Sequence, residues 1–231
     1  MPGLPSTGIR GIIFDLDGTL YVCDRFAAKI QDAAALYIAG LRQITSAEAA
    51  ELIAATRQQH SEVHGTSQTL SSVCSELGGS IQELHRFFEQ TLQPETFLVR
   101  DERVIRLLER LATRFSLSVY TNNNRILTDR IISHLGLQKI VPGVFTIDDT
   151  WRGKPDEGMV RRVLDLVGLA PSEALFVGDR YDVDLRVPEQ LGCPVYLSRN
   201  IEQLLRLEEL LTMNLSADTS VTPACLQAAQ L

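Results

Sequence analysis

Asp15 and Asp17, one residue apart in Gly11-Ile-Ile-Phe-Asp-Leu-Asp-Gly-Thr-Leu20, are the residues of this chain best suited to do chemistry. In an extended backbone, residues two apart point the same way, so both carboxylates address one small volume. Like charges held that close are costly unless a cation or a proton sits between them. The pair reads as a divalent-metal site containing a reactive carboxylate; the plainer alternative is a polar turn that uses Asp and Gly for its geometry.

Three later segments carry polar residues of matching character. Thr121-Asn122-Asn123 follows an apolar run, Lys154 sits in Arg-Gly-Lys-Pro155, and Gly178-Asp179-Arg-Tyr-Asp182-Val-Asp184 follows another apolar run. Of 22 basic residues only Lys29, Lys139 and Lys154 are lysines, so a Lys placed between Gly and Pro reads as a positioned point charge. Each segment alone could be a helix cap or a solvated turn. Their combination, in this order, points to one site.

The surrounding elements must bring these segments together. Residues 12–14 read as a buried strand, ending at Asp15. From 24 to 97 the rhythm is helical. Helices are expected over 26–39, over 45–60 after a Thr45-Ser-Ala-Glu48 capping box, over 67–77 before Gly78-Gly79, and from a second capping box, Ser80-Ile-Gln-Glu83, to before Pro94. Thereafter helices (101–114, 125–135, 156–167, 183–191) alternate with strands (116–120, 144–147, 174–177, 194–197), and a last helix spans 201–212. Alternation of this kind predicts an α/β fold: a Rossmann-like parallel sheet covered on both faces, with the helical segment inserted after the first strand. Ligands bind such sheets outside the carboxyl ends of the strands, where the four polar segments fall. The expected organisation is a core of residues 1–23 and 98–212, a helical cap of 24–97 and a C-terminal tail of 213–231 without clear periodicity.

The four segments resemble, in order, the motifs of the haloacid dehalogenase-like hydrolases. Asp15-Leu-Asp-Gly-Thr19 is similar to the first motif, Thr121 with Asn122 to the second, Lys154 in Gly-Lys-Pro to the third, and Gly178-Asp179 through Asp184 to the fourth. The resemblance covers about residues 9–200. It implies that Asp15 is a nucleophile forming an aspartyl-phosphate and that Asp17 is the general acid and base. It implies Mg²⁺ at Asp15, Asp179 and Asp17, the last through its backbone carbonyl. Thr121, Asn122 and Lys154 would bind the phosphoryl group. Asp182 and Asp184 both remain candidates for the second acid of the fourth motif, Asp184 having the better spacing.

Within the family an acid at Asp17 implies phosphoryl chemistry rather than dehalogenation, because an alkoxide leaving group needs a proton and a halide does not. The helical insertion resembles the caps of phosphoglycolate phosphatase-like and pyrimidine 5′-nucleotidase-like enzymes. The expected function is Mg²⁺-dependent hydrolysis of a small phosphorylated metabolite. A sugar-phosphate mutase and a non-catalytic phosphate- or protein-binding module are the alternatives.

Composition sets the bounds. The chain has 231 residues, 45% hydrophobic, with a net charge of −7, which argues against nucleic acid or an anionic membrane as the main partner. Cys23, Cys74, Cys193 and Cys225 form no C-x-x-C pair, the start Met1-Pro-Gly-Leu-Pro lacks a signal-peptide pattern, and no run is long enough to span a bilayer. A reducing, cytoplasmic setting is expected. His60 and His64 share a helix face and read as a solvated or site-facing pair rather than a metal site. Arg25 and Arg57 are candidate substrate contacts or surface residues; Phe26, Tyr37, Phe87 and Phe88 are expected in the core of the helical module.

Overall fold

A computed structural model describes residues 8–211 of the chain. Five strands, β1 (Gly11–Phe14), β2 (Ser116–Tyr120), β3 (Gly143–Phe145), β4 (Ala174–Gly178) and β5 (Val195–Leu197), form one sheet in the order β3-β2-β1-β4-β5. Every pairing is parallel, with Phe14 opposite Val119 on one side and Val177 on the other. The first strand thus lies at the centre, and its carboxyl end sits where the order of the sheet reverses. Successive side chains of a strand face opposite ways. Accordingly Ile12 and Phe14 enter one hydrophobic cluster with Leu107, Leu127 and Ile131, while Ile13 enters a second with Met159, Val160 and Val163. Burial on both faces explains why β1 is an uninterrupted apolar run.

Between β1 and the remaining strands lie α1 (Asp24–Arg42), α2 (Ser46–His64), α3 (Leu70–Glu76) and α4 (Ile81–Thr91). The helices α5 (Glu102–Ala112), α6 (Arg125–Leu135), α7 (Glu157–Val167), α8 (Arg186–Gln190) and α9 (Ile201–Leu205) complete the order. Phe26, Ile38, Leu84 and Phe88 of the inserted helices are buried in the same cluster as Ile12 and Phe14. Tyr37 and Phe87 pack at its edge, with ring centroids 6.1 Å apart, so the four aromatics serve packing. Arg25 lies over the Phe97 ring, 5.7 Å from its centroid.

Several element ends depart from the sequence expectation. The Thr45 capping box forms in full: Thr45 Oγ1 accepts from the Glu48 N–H at 3.2 Å and Glu48 Oε2 accepts from the Thr45 N–H at 2.8 Å. At Ser80 only half forms. Ser80 Oγ accepts from the Glu83 N–H, but the Ser80 N–H donates to the Tyr37 hydroxyl at 2.9 Å, and that hydroxyl donates to Glu83. A tyrosine from α1 therefore takes the reciprocal role. The second helix runs past 60 to His64 and stops at Gly65, which adopts a left-handed φ of 64°. The third begins later than 67 because Thr69 caps it. The strand expected over 144–147 ends at Phe145, where the Thr146 N–H turns to Asp149 Oδ2 at 2.7 Å. The helix expected over 183–191 begins as a wide π turn, Tyr181–Leu185, and continues as α8 over Arg186–Gln190. Residues 207–211 are helical, and the expected tail of 213–231 lies outside the described residues.

Candidate active site

The carboxyl ends of β1, β2 and β4 converge on a cluster of acids. Asp15 follows β1 directly; its N–H donates to the Val177 carbonyl at 2.8 Å, which continues the ladder and fixes the side chain's origin. Asp15 is 5% exposed, Lys154 3% and Asp184 4%. Lys154 Nζ donates to Asp15 Oδ1 at 2.5 Å, to Asp184 Oδ1 at 2.7 Å and to the Tyr120 carbonyl at 3.0 Å. Those three acceptors use the three protons of the ammonium. Lys154 is expected to offset the charge of phosphate and nucleophile together, and its ammonium lies on the nucleophile candidate as well as on Asp184.

Asp184, rather than Asp182, is the fourth-motif acid that reaches this cluster. The π turn makes this possible: the Asp184 N–H donates to the Arg180 carbonyl at 2.8 Å, while Asp184 Oδ2 accepts from the Arg180 N–H at 3.0 Å. Gly178 accommodates the return of the chain, since a Cβ there would collide with that of Asp184. Asp182 is half-buried, and no hydrogen bond or ion pair joins it to the cluster among the described residues.

Asp17 is held differently. Its carboxylate accepts from Asn123 Nδ2 at 2.7 Å, from Thr121 Oγ1 at 3.4 Å and from the Tyr21 hydroxyl. Thr121 Oγ1 in turn accepts from the Asn123 N–H at 3.2 Å. These contacts fix the orientation of an acid that reaches the cavity beside the cluster. Asn122 Oδ1 accepts from the Lys154 N–H at 2.7 Å, which anchors the Lys154 loop to the end of β2. Its Nδ2 is buried with no protein partner, a donor available to an anion.

Asp15, Asp179 and Asp184 can each place one carboxylate oxygen within 4.8 Å of the others. Burial pushes Asp15 up to about 7 in spite of the nearby Lys154, with the charges of Asp184, Asp17 and Asp179 adding to the effect. Burial and Asp184 push Asp179 up to about 6. Burial works against the charge of Asp184 too, but Lys154 and Arg180 hold its carboxyl below the usual range. Asp179 Oδ1 is buried without a hydrogen bond, and its nearest cation, Arg180 Nε, lies 3.7 Å away. An all-oxygen set with one orphaned carboxylate oxygen and too little positive charge suits a hard divalent cation. Gly18 allows Asp179 this approach: it has a φ of +84°, and a Cβ there would lie 2.5 Å from Asp179 Oδ2. The side chains that gather are Asp15, Asp179 and Asp184. The Asp17 carboxylate is held by Tyr21, Thr121 and Asn123, which leaves its backbone carbonyl as the expected metal contact.

Tyr21, Thr19 and Asn123 are site residues that the sequence reading missed. Thr19 Oγ1 donates to Asp15 Oδ2 at 3.3 Å. Asn123 stood in the recognised run Thr121-Asn122-Asn123, but which amide would face Asp17 depends on how the chain leaves β2. Tyr21 curls back to bridge with Asp17, a turn that no periodic signal announces. His60 and His64 have ring centroids 4.6 Å apart and join no cluster of three metal-ligating side chains among the described residues.

His85, from α4, closes one side of the cavity. Its Nε2 lies 3.0 Å from Ser71 Oγ, its carbonyl accepts from Asn124 Nδ2 at 2.9 Å, and its ring is 1% exposed. Burial lowers its pKa to about 4. As pH falls, the unfolded chain takes up this proton near pH 6.5, whereas the folded protein resists until about 4. The contribution is therefore constant above 6.5, is lost progressively between 6.5 and 4, and is on the order of 3 kcal/mol. His85→Gln is expected to remove that part of the acid destabilisation, seen as a flatter urea-midpoint curve across this window. Parallel curves for the variant and the parent would contradict it.

A parallel sheet whose central strand delivers one buried and one half-buried aspartate beside a buried lysine and a second acidic loop sets up an acidic site at the carboxyl ends of its strands. The sequence from 9 to 192 matches the family model described as haloacid dehalogenase-like hydrolase, and the chain belongs to that family. It is similar to a glyceraldehyde 3-phosphate phosphatase of Methanocaldococcus jannaschii, 26% identical over 80% of this chain and 82% of the relative. It is also similar to a phosphoglycolate phosphatase of Photorhabdus laumondii, 27% identical over 81% of this chain and 79% of the relative. Among solved structures, a HAD phosphatase from Thermococcus onnurineus superposes with a TM-score of 0.58 at 20% identity, over 88% of this chain and 98% of the other. A 2-haloacid dehalogenase from Pseudomonas syringae superposes with the same TM-score of 0.58 at 20% identity, over 89% and 99%. The fold is common to phosphatases and dehalogenases, while the relatives by sequence are named as phosphatases. No described helix is long and apolar enough to cross a membrane.

Proposed function

We propose that this enzyme is a Mg²⁺-dependent phosphomonoesterase acting on a small phosphorylated metabolite through an aspartyl-phosphate on Asp15. The observation that carries the reading is the division of labour between the two aspartates. Asp15 is buried and oriented by Lys154, and Asp17 is separately oriented by Tyr21, Thr121 and Asn123. In the proposed cycle, Asp15 attacks phosphorus as the ester P–O bond breaks, and the leaving alkoxide takes a proton from Asp17. Asp17 then accepts a proton from the water that attacks the phosphoryl group; the bond to Asp15 breaks, releasing orthophosphate and restoring both acids. Asn122 Nδ2 donates to the phosphoryl oxygens. A divalent cation held by Asp15 and Asp179 would supply the positive charge the acids and the phosphate need.

In this reading α1–α4 form a cap of residues 24–97 over a core of 1–23 and 98–212, and the cap excludes water from the reaction. Burial of the inserted helices' apolar face, and the joining of α4 to α6 through Asn124 and His85, support a module seated on the site. The relatives' substrates, glyceraldehyde 3-phosphate and phosphoglycolate, support a small metabolite. The free Cys23, Cys74 and Cys193 support a reducing, cytoplasmic setting; Cys225 lies outside the described residues.

The roles of the two acids separate in a leaving-group test. Asp17→Asn is expected to lower kcat on an alkyl phosphate by roughly 10²–10⁴-fold. On p-nitrophenyl phosphate, whose phenolate leaves without a proton, the loss in acylphosphate formation should be at least about 10-fold smaller. Single-turnover release of the alcohol or of p-nitrophenolate in Mg²⁺ measures both, because these leave in the first step whereas phosphate leaves only after Asp17 has acted as base in the second. Equal losses would remove Asp17 from the role of acid, and no Mg²⁺-dependent release from nucleotides, sugar phosphates or phosphoglycolate would remove the phosphatase reading itself.

A further inference from the structure

The cavity beside the acid cluster has a volume of about 440 Å³, within the range of small-molecule sites. Asp17 and Asn122 line one part of it, Phe26, Ile30 and Phe88 another, and Arg57 and Arg180 also face it. Arg57 comes from α2 and Arg180 from the loop after β4, so two distant parts of the chain deliver guanidinium groups to one space. Arg57 Nη1 donates to the neutral Gln31 Oε1 at 3.2 Å, but its Nε is buried with no partner. Among the described residues Arg57 forms no ion pair; Asp24 lines the same cavity from the exposed start of α1 without pairing to it. Burial, followed by the charge of Arg180, holds Arg57 below its ordinary pKa. Arg180 is 44% exposed and has Asp179 at 3.7 Å.

A guanidinium with a buried unpaired N–H beside a second cation is a poor arrangement by itself. An anion in the cavity repairs it, and the planar fork of Arg suits carboxylate or phosphate. The phosphoryl donors come from the end of β2, so Arg57 is left for a different anionic group of the same molecule. The apolar wall of Phe26, Ile30 and Phe88 suits the short carbon segment between the two ends.

We infer that Arg57 and Arg180 form a subsite for a second anionic group, so that the substrate is a short phosphomonoester with a carboxylate or phosphate at its far end. The inference rests on the phosphomonoesterase reading for the position of the ester. The test compares three probes that share a two-carbon skeleton: ethyl phosphate, phosphoglycolate and ethane-1,2-diol bisphosphate. In the full-length protein, Arg57→Gln is expected to lower the ratio of kcat/KM for a charged-tail probe over ethyl phosphate by about 10–100-fold, through KM, with partial rescue by Arg57→Lys. The bisphosphate and phosphoglycolate arms show which anion the subsite takes. An unchanged ratio for both charged probes would overturn the subsite, as would parallel losses on all three. Calorimetric binding of the same probes to Asp15→Asn separates the two readings. Arg57-dependent binding of phosphoglycolate without turnover of any ester by the parent protein would keep the anion subsite and discard hydrolysis. Turnover with Arg57-independent binding would do the reverse.

Discussion

Asp15→Asn is expected to lower phosphate release by at least about 10⁴-fold while leaving the protein folded. The scale is that of removing a covalent nucleophile, for which positioning and electrostatic stabilisation by the other residues cannot substitute. Asn keeps the shape of Asp but lacks the oxyanion that would attack phosphorus. The fold should survive because Lys154 retains Asp184 at 2.7 Å and the Tyr120 carbonyl at 3.0 Å. Steady-state phosphate release gives the rate, and acid-quenched protein should carry covalent phosphate in the parent and none in the variant. Turnover of the variant near the parent rate would place the nucleophile elsewhere.

Lys154→Met should be the most destabilising single change at the site. Methionine retains the length of the apolar stem and removes the charge. Asp15 and Asp184, 5% and 4% exposed, would then share a dry space without their common cation. Breaking a buried ion pair from one side costs about 3–5 kcal/mol, because the remaining charge is neither solvated nor paired. In a chain of this size that is a fall in Tm of roughly 6–20 °C. Asp184→Asn on top of Lys154→Met should recover at least about 1 kcal/mol, since it removes one of the stranded charges. Calorimetry without divalent cation measures both. A Tm within about 2 °C of the parent would show that Lys154 does not carry the pair's stability.

The first strand and the acid pair were legible because their signals are local. An apolar run broken by Asp-x-Asp-Gly specifies both a two-faced buried strand and its functional end, and the alternation after 98 gave the parallel sheet. The Thr45 box depends on four consecutive residues and formed as expected, whereas the Ser80 box was altered by Tyr37, a residue 43 positions away. The helix expected over 183–191 formed over Arg186–Gln190 but opens in a π turn for a related reason. Its periodicity was helical, but the hydrogen bonds from Arg180 and Lys154 to Asp184 select a wider turn.

The candidate site divides along the same line. Sequence by itself determined which residue types meet at the strand ends: Asp15, Asp17, Thr121, Asn122, Lys154 and Asp179, each fixed by its place after a strand or in a Gly-flanked loop. Tertiary structure decided the pairings. It set Lys154 between Asp15 and Asp184, placed Asn123 rather than Asn122 on Asp17, folded Tyr21 back onto the same carboxylate, and brought Arg57 across from α2 to face Arg180. The physical reason is range. Strand and turn propensities act over a few residues, but the energy of a buried charge depends on every group within a few ångströms of it, and those groups come from segments as distant in the chain as Asp15 and Asp184.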